Sequence, residues 1–368
     1  MTTSQPTEKD LRYGRQSINE QDIDAVVEVL RGDWLTQGPT VPLFEQAVAE
    51  YVGAEYAVAF SSGTAALHGA AFAAGLGLGD RVVTSPLTFM ASANCVRYVG
   101  ASPALADIDR DTWNLNPALV DGSPEAVVAV HYAGLPMDLA VLEGRTATVI
   151  EDAAHALGAS TPDGMVGKCE SSDLCCFSFH PVKPITTAEG GMVTTNNPVL
   201  AERLRAFRSH GIRRVHSDEG WAYEIDEIGF NYRLTDLQAA LGLSQLGRIE
   251  EFIERRNALA ARYRTLLSDL PLTLPPAAGP GVRHGYHLFP VHVADRRRVY
   301  DALHEDGIRV QVHYVPVHHH PVSRDIALPS GGLPVCDEVY AGLLSLPLHA
   351  EMTESDQDRV VQSLRRIL

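Results

Sequence analysis

Ala126-Val127-Val128-Ala129-Val130 and Val149-Ile150-Glu151-Asp152-Ala153-Ala154-His155 are the stretches on which the fold reading turns. The first is apolar at every position, and the second is apolar until it meets two carboxylates. A strand with one face in water alternates, whereas one apolar on both faces is covered on both sides. Similar short runs lie to either side: Ala57-Val58-Ala59-Phe60, Arg81-Val82-Val83-Thr84, Cys175-Cys176-Phe177-Ser178-Phe179 and Met192-Val193-Thr194-Thr195. Helical stretches separate them, such as the Ala-rich segment from Thr64 to Ala74. The pattern predicts a large, mostly parallel sheet with helices on both faces. In such sheets ligands bind beyond the carboxyl ends of the strands, so the residues that follow each run carry the interest.

Before this region, Asn19 is a good helix N-cap, with Asp22 in the first turn. Ile23, Val26, Val27 and Leu30 follow at helical spacing, and Gly32 supplies a stop. A second helix is expected from Val41 to Val52, burying Phe44, Val48 and Tyr51. After it the chain reads as helical from Leu234 to Leu270, then as a proline-rich loop from Pro271 to Gly281. A smaller α+β unit follows, with strands at Tyr286–Val293 and Ile308–Tyr314, a helix at Arg297–Asp306 and terminal helices. The division expected is a large domain with an N-terminal arm over 1–240 and a small one over 241–368.

The 368 residues carry 30 Lys+Arg against 46 Asp+Glu, a net charge of −16. That balance argues against nucleic-acid binding, which needs a basic surface. No stretch has the roughly 18 apolar residues of a membrane span. The first ten residues lack the apolar core of a signal peptide. Five cysteines, an odd number, suit a reducing compartment, and the expectation is a cytoplasmic enzyme.

Four groups at strand exits carry chemistry. Lys183 lies in Phe177-Ser178-Phe179-His180-Pro181-Val182-Lys183-Pro184, ahead of Thr186-Thr187-Ala188-Glu189-Gly190-Gly191. Asp152 ends its run, either as a helix cap or as a carboxylate able to keep a ring nitrogen protonated. Ser61-Ser62-Gly63-Thr64 opens a helix whose free N–H groups suit a phosphate or an ordinary cap. Phe89 is either core or a plate for a planar ring. A Schiff-base lysine, an acidic partner for a pyridinium, a phosphate cup and a stacking ring are what pyridoxal phosphate requires, and one ligand would use all four groups.

With these residues in place, the sequence resembles the DegT-type nucleotide-sugar aminotransferases of the fold-type I pyridoxal-phosphate class. The similar stretches include Trp34–Pro39, Ser61–Leu67, Glu151–Gly158, Ser178–Gly191, Arg208–Gly211, Gly229–Leu234 and His313–Pro316. The resemblance implies a fold-type I sheet with a smaller C-terminal α+β domain. It also implies that Lys183 carries the cofactor and that Asp152 holds its pyridinium. Further implied cofactor contacts are His155 near its phenolic oxygen, Gly63, Thr64 and Ser178 at its phosphate, and Phe89 on its ring. Asn231 would reach the cofactor of a partner subunit, making the sites shared within a homodimer. Trp34, Arg233, His313, Tyr314 and His318 are the implied substrate contacts. The implied reaction moves an amino group from an amino acid, glutamate, to a keto sugar on a nucleotide, with pyridoxamine phosphate as the halfway form. Within the family the similarity is greatest to the branch that makes pseudaminic acid precursors, which aminates C4 of a UDP-linked 4-keto-6-deoxy-N-acetyl-L-altrosamine. A 3- or 4-keto sugar on dTDP or GDP is the alternative. At Ala188 many relatives have glycine, so either the turn needs no positive φ or the pattern allows a variant.

Rival readings are weaker. The dehydratase branch replaces the lysine with histidine. A non-catalytic regulator would bring a DNA-binding module that the charge and length do not accommodate. Gly75-Leu76-Gly77-Leu78-Gly79 follows a helix and lacks dinucleotide-loop spacing, so it reads as a helix stop. His318-His319-His320 is not expected to hold a metal, since neighbours in an extended segment point to opposite faces. Cys175 and Cys176 are expected to be small core residues.

Overall fold

The computed structural model describes residues 10–144, 146–214 and 221–368. Seven strands form its main sheet: β1 Tyr56–Phe60, β2 Arg81–Thr84, β3 Ser102–Leu105, β4 Ala126–Val130, β5 Thr148–Asp152, β6 Leu174–Ser178 and β7 Gly191–Thr195. Their spatial order is β1-β7-β6-β5-β4-β2-β3. All neighbours are parallel except β7, which runs antiparallel to both β1 and β6.

The both-sided apolar pattern has the expected consequence. Val58, Phe60, Val82, Val128, Ile150, Cys176 and Val193 project to one face. There they pack on helices α3 (Gly63–Ala73), α4 (Ala91–Tyr98) and α5 (Pro198–Phe207). The alternate residues Ala57, Ala59, Cys175, Phe177 and Met192 meet Phe44 and Val48 of helix α2 (Thr40–Val52) on the other face. Small side chains on α3, including Ala66, Ala70 and Gly69, let it lie close to the strands. A Cβ on Gly69 would stand 2.7 Å from the Phe60 ring. All five cysteines are free and buried.

Helix α1 (Glu20–Arg31) begins at Asn19 with a full capping box to Asp22 and ends at Gly32. Among the described residues its apolar stripe is only partly covered: Val26 and Val27 are half-buried, while Ile23 is 46% and Leu30 57% exposed. The buried residue is Asp22, whose carboxylate accepts from Ser244 Oγ at 2.6 Å, Gln245 Nε2 at 2.7 Å and Arg248 at 2.5 Å.

The long helix expected over 234–270 is two helices, α6 (Asp236–Leu246) and α7 (Ile249–Leu266), broken at Gly247 and Arg248. Helix α7 joins two core clusters: Ile249, Phe252 and Ile253 pack with residues of the main sheet and its helices, and Leu259, Ala260 and Tyr263 with the C-terminal strands and helices. Leu11 also joins the small domain, pairing in parallel with Ile308.

The small domain holds β8 Leu272–Thr273, β9 Phe289–Val293 and β10 Leu343–Leu346, all antiparallel, packed with α8 (Arg296–Glu305), α9 (Pro334–Gly342) and α10 (Glu354–Ile367). The strand expected over 308–314 is only Ile308–Arg309, because the following residues turn toward the large domain. Among the described residues no helix is long and apolar enough to cross a membrane.

Candidate active site

A cavity of about 350 Å³ opens at the carboxyl edge of the main sheet, closed from the other side by residues ahead of α9. The strand-end positions do the gathering. Val130 and Asp152 contribute from the ends of β4 and β5, Ser178 from β6, and Ser62, Gly63 and Thr64 from the start of α3. Lys183, Phe89, His155, His313 and Tyr314 also line it, so these expected site residues come together.

Asp152 is not a helix cap. Its Oδ2 accepts from Ser92 Oγ at 2.6 Å, and Ser92 is held in turn by Thr88 Oγ1 at 2.7 Å. Those contacts aim a buried carboxylate into the cavity. Lys183 is fixed by a turn, its N–H donating to the His180 carbonyl at 2.9 Å. Its amine is enclosed by cavity walls, and burial lowers its pKa to about 8, with Asp152 acting in the opposite direction.

At the opposite end Ser62 caps α3, its Oγ accepting from Ala65 N at 3.1 Å. The N–H groups of the first turn then face the cavity, where they and the helix dipole suit an anion. The approach is close: a Cβ on Gly63 would fall 2.7 Å from Ser178 Cβ.

The remaining wall is a set of neutral rings. His155 Nε2 meets the Tyr314 hydroxyl at 3.0 Å, and its buried Nδ1 has no hydrogen-bond partner among the described residues. The His287 ring lies 4.4 Å from it. His313 Nδ1 pairs with Ser345 Oγ at 3.0 Å, and Tyr132 donates to the His313 carbonyl at 2.5 Å. Burial drives the pKa of His155 and His287 well below the ordinary imidazole value and that of His313 to about 3, and Lys183 adds to all three shifts. These imidazoles are uncharged at neutral pH. Burial also raises the Tyr314 phenol.

Phe89 lines the cavity at its rim, 58% exposed and 5.7 Å from the Tyr314 ring. Other expected residues stand apart. Trp34 is 59% exposed and Asn231 is exposed, neither lining this chain's cavity, and Arg233 does not line it either. His318 is turned away, its Nε2 2.9 Å from Asp337 Oδ1 of α9, so no contact supports it as substrate-facing. Its segment is not extended: Val317–His319 is a 3₁₀ turn, and both His318 and His319 reach the same carboxylate oxygen.

Sequence reasoning missed His287, Tyr13, Ser92 and Arg256. Arg256 is buried and donates to the carbonyls of Tyr286, His287 and Leu348 at 3.2, 3.4 and 3.1 Å, fixing the His287 wall. His287 had a local signal, since His284-Gly285-Tyr286-His287 leads directly into β9. A larger cleft of about 430 Å³ near His131 and Lys168 lies across the sheet. Its buried carboxylate, Glu151, is already engaged by His131 at 2.7 Å and Ser172 at 2.5 Å. Its lysine, Lys168, is paired with Glu170 at 2.5 Å, and no α-helix start is in its lining.

Comparison with known proteins bears on this arrangement. Residues 16–365 match the DegT/DnrJ/EryC1/StrS aminotransferase family. The chain belongs to that family. It is 38% identical to the spore coat polysaccharide biosynthesis protein SpsC of Bacillus subtilis, with 97% of each chain covered. Among solved structures it is similar to Helicobacter pylori PseC, an aminotransferase of pseudaminic acid biosynthesis. The TM-score is 0.89 and the identity 30%, covering 98% of this chain and 99% of that one. It is also similar to Spr1654 of Streptococcus pneumoniae in its PLP form, at TM-score 0.91 and 25% identity, covering 98% and 100%. The likeness covers nearly the whole chain, which has the fold of the pyridoxal-phosphate transferases of fold type I.

Proposed function

We propose that this family member is a pyridoxal-phosphate-dependent aminotransferase that moves nitrogen from an amino acid, glutamate, to the keto carbon of a nucleotide-linked 4-keto-6-deoxy sugar. UDP-4-keto-6-deoxy-N-acetyl-L-altrosamine, in pseudaminic acid biosynthesis, is the acceptor we favour. One observation carries the reading: an enclosed Lys183 amine and the buried Asp152 carboxylate share a cavity whose far end is the open start of α3. That donor set fits pyridoxal phosphate. Lys183 would hold its aldehyde carbon, Asp152 its pyridinium, and Ser62–Thr64 with Ser178 its phosphate. When bound, the cofactor supplies an electron sink for proton removal at the amino-bearing carbon.

The chain's own residues supply the rest. With its pKa lowered to about 8 by burial, Lys183 Nζ can take and return a proton near neutral pH. Ser92 keeps Asp152 oriented. The neutral wall of His155, His287, His313 and Tyr314 offers hydrogen bonds without charge, which suits the uncharged hydroxyls and carbonyl of a sugar ring.

The PseC likeness supports the pseudaminic acid branch. The SpsC likeness supports the second reading, a 3- or 4-keto sugar on dTDP or GDP bound for a surface polysaccharide. A shared-site homodimer in the cytoplasm completes the proposal. It is supported by the uncovered Ile23, Leu30, Trp34, Leu35 and Leu43 and by Ile228, 82% exposed near the outward-facing Asn231. The test loads the enzyme with pyridoxamine phosphate and presents a panel of keto-sugar nucleotides, reading return of the aldehyde form by absorbance. The UDP-4-keto sugar should turn over fastest, and Lys183→Ala should turn over none. A panel without any reactive sugar, or an active Lys183→Ala, would refute the assignment.

A further inference from the structure

We propose a binding site for a divalent transition-metal ion, of the zinc class, formed by His318, His319 and Asp337 and separate from the cavity described above. The three donor atoms come from two elements. His318 and His319 lie on the 3₁₀ turn Val317–His319, and Asp337 lies in the first turn of α9. Nε2 of each histidine is 2.9 Å from Asp337 Oδ1, and all three atoms lie within 4.8 Å of one another.

The turn makes this possible. Successive residues of a 3₁₀ helix are rotated by about a third of a turn, so two adjacent imidazoles converge as they could not along a strand. Their rings stand at 66° with centroids 4.3 Å apart, and both Nε2 atoms come within 2.9 Å of the same Asp337 oxygen. Two imidazoles and a carboxylate form the donor set that borderline dications select, with water filling the open position.

The surroundings favour a cation on balance. The positive end of the α9 dipole is opposed by Asp107, which accepts from the N–H groups of Val335 and Cys336 at 2.8 and 2.9 Å. Glu338 is neutralised by Arg110, and Arg296 is occupied by the Tyr340 ring and carbonyl. The His318 side chain is only 7% exposed, which limits its freedom to leave. His319 is further confined by Tyr340, 5.3 Å away edge-on. An ion here would tie α9 to the segment that leads out of Tyr314, and so would brace the cavity wall from outside.

The experiment uses tag-free, pyridoxal-phosphate-loaded enzyme freed of metal by a chelator. Zn²⁺ binding is followed by calorimetry, and Co²⁺ binding by its visible absorption. The wild type should bind one Zn²⁺ per chain with micromolar affinity. His319→Ala and Asp337→Asn should each weaken binding by at least ~100-fold, since loss of an outer-shell partner alone costs ~10–100-fold. His320→Ala should bind as the wild type does, because His320 Nε2 is directed at the Val315 carbonyl. Thermal unfolding of the metal-free variants confirms that they are folded. Absent saturable Zn²⁺ binding, or equal affinity in all four proteins, overturns the proposal. So does a Zn²⁺-induced change in cofactor absorbance that persists in Asp337→Asn, which would put the ion in the catalytic cavity.

Discussion

Gly63→Ala tests the phosphate-binding reading at one atom. The added Cβ would stand 2.7 Å from Ser178 Cβ, 3.0 Å from its Oγ and 3.3 Å from its Cα. Non-bonded carbons settle at about 3.5–4.0 Å, so a displacement of about 1 Å is required. Ser178 cannot supply it, since β6 is held between β5 and β7, with Ser178 paired to Gly191. The start of α3 must move instead, carrying the N–H groups of residues 63 and 64 out of register with a bound anion. Loss of one hydrogen bond to a charged group costs about 2 kcal/mol, or ~30-fold in Kd. Apo enzyme should be titrated with pyridoxal phosphate by absorbance, with urea unfolding beside it to show that the overpacking cost of ~1–3 kcal/mol is survived. A folded variant whose Kd stays within about twofold of wild type would refute this placement of the phosphate.

Three further outcomes follow from the same geometry. Asp22→Ala leaves the buried Gln245 and the Arg248 guanidinium without their shared acceptor and should cost ~3–5 kcal/mol by urea denaturation; a loss below ~1 kcal/mol would show the network to be incidental. Ala188 has φ of 64°, so Ala188→Gly should stabilise by up to ~1 kcal/mol and Ala188→Val should destabilise, read as opposite shifts in Tm. Burial holds the Lys183 pKa at about 8 in the folded apo chain, below its ordinary 10.5, so between those values the unfolded chain binds the extra proton and stability rises with pH. Relative to Lys183→Met, the apo wild type should gain up to ~3 kcal/mol over that window; parallel pH profiles would contradict the enclosed amine.

Much of the site was legible because strand-end residues announce themselves. Lys183, Asp152 and Ser62–Thr64 each follow a run that is apolar on both faces, and a parallel sheet brings such positions to one edge whatever their separation in sequence. Ala188 posed an open question that its positive φ answers: the turn does require the left-handed region. What the sequence hid depends on contacts between distant segments. Ser92 matters only because α4 sets it against Asp152, and Arg256 only because α7 crosses between the two cores. The spacing of Ile23, Val26, Val27 and Leu30 marks α1 as a helix but not what it buries: it is the polar Asp22 that is buried, because its carboxylate is the shared acceptor for three partners on and beside α6. The histidine run reads as extended, whereas Val317–His319 forms a 3₁₀ turn, whose side chains do not alternate as a strand's do.

The central claim concerns one nitrogen atom. Borohydride reduction of the yellow holoenzyme, followed by proteolysis and mass mapping, should place the stable cofactor adduct on the peptide containing Lys183 and on no other. An adduct on a different lysine, or none at all after reduction, would contradict the account.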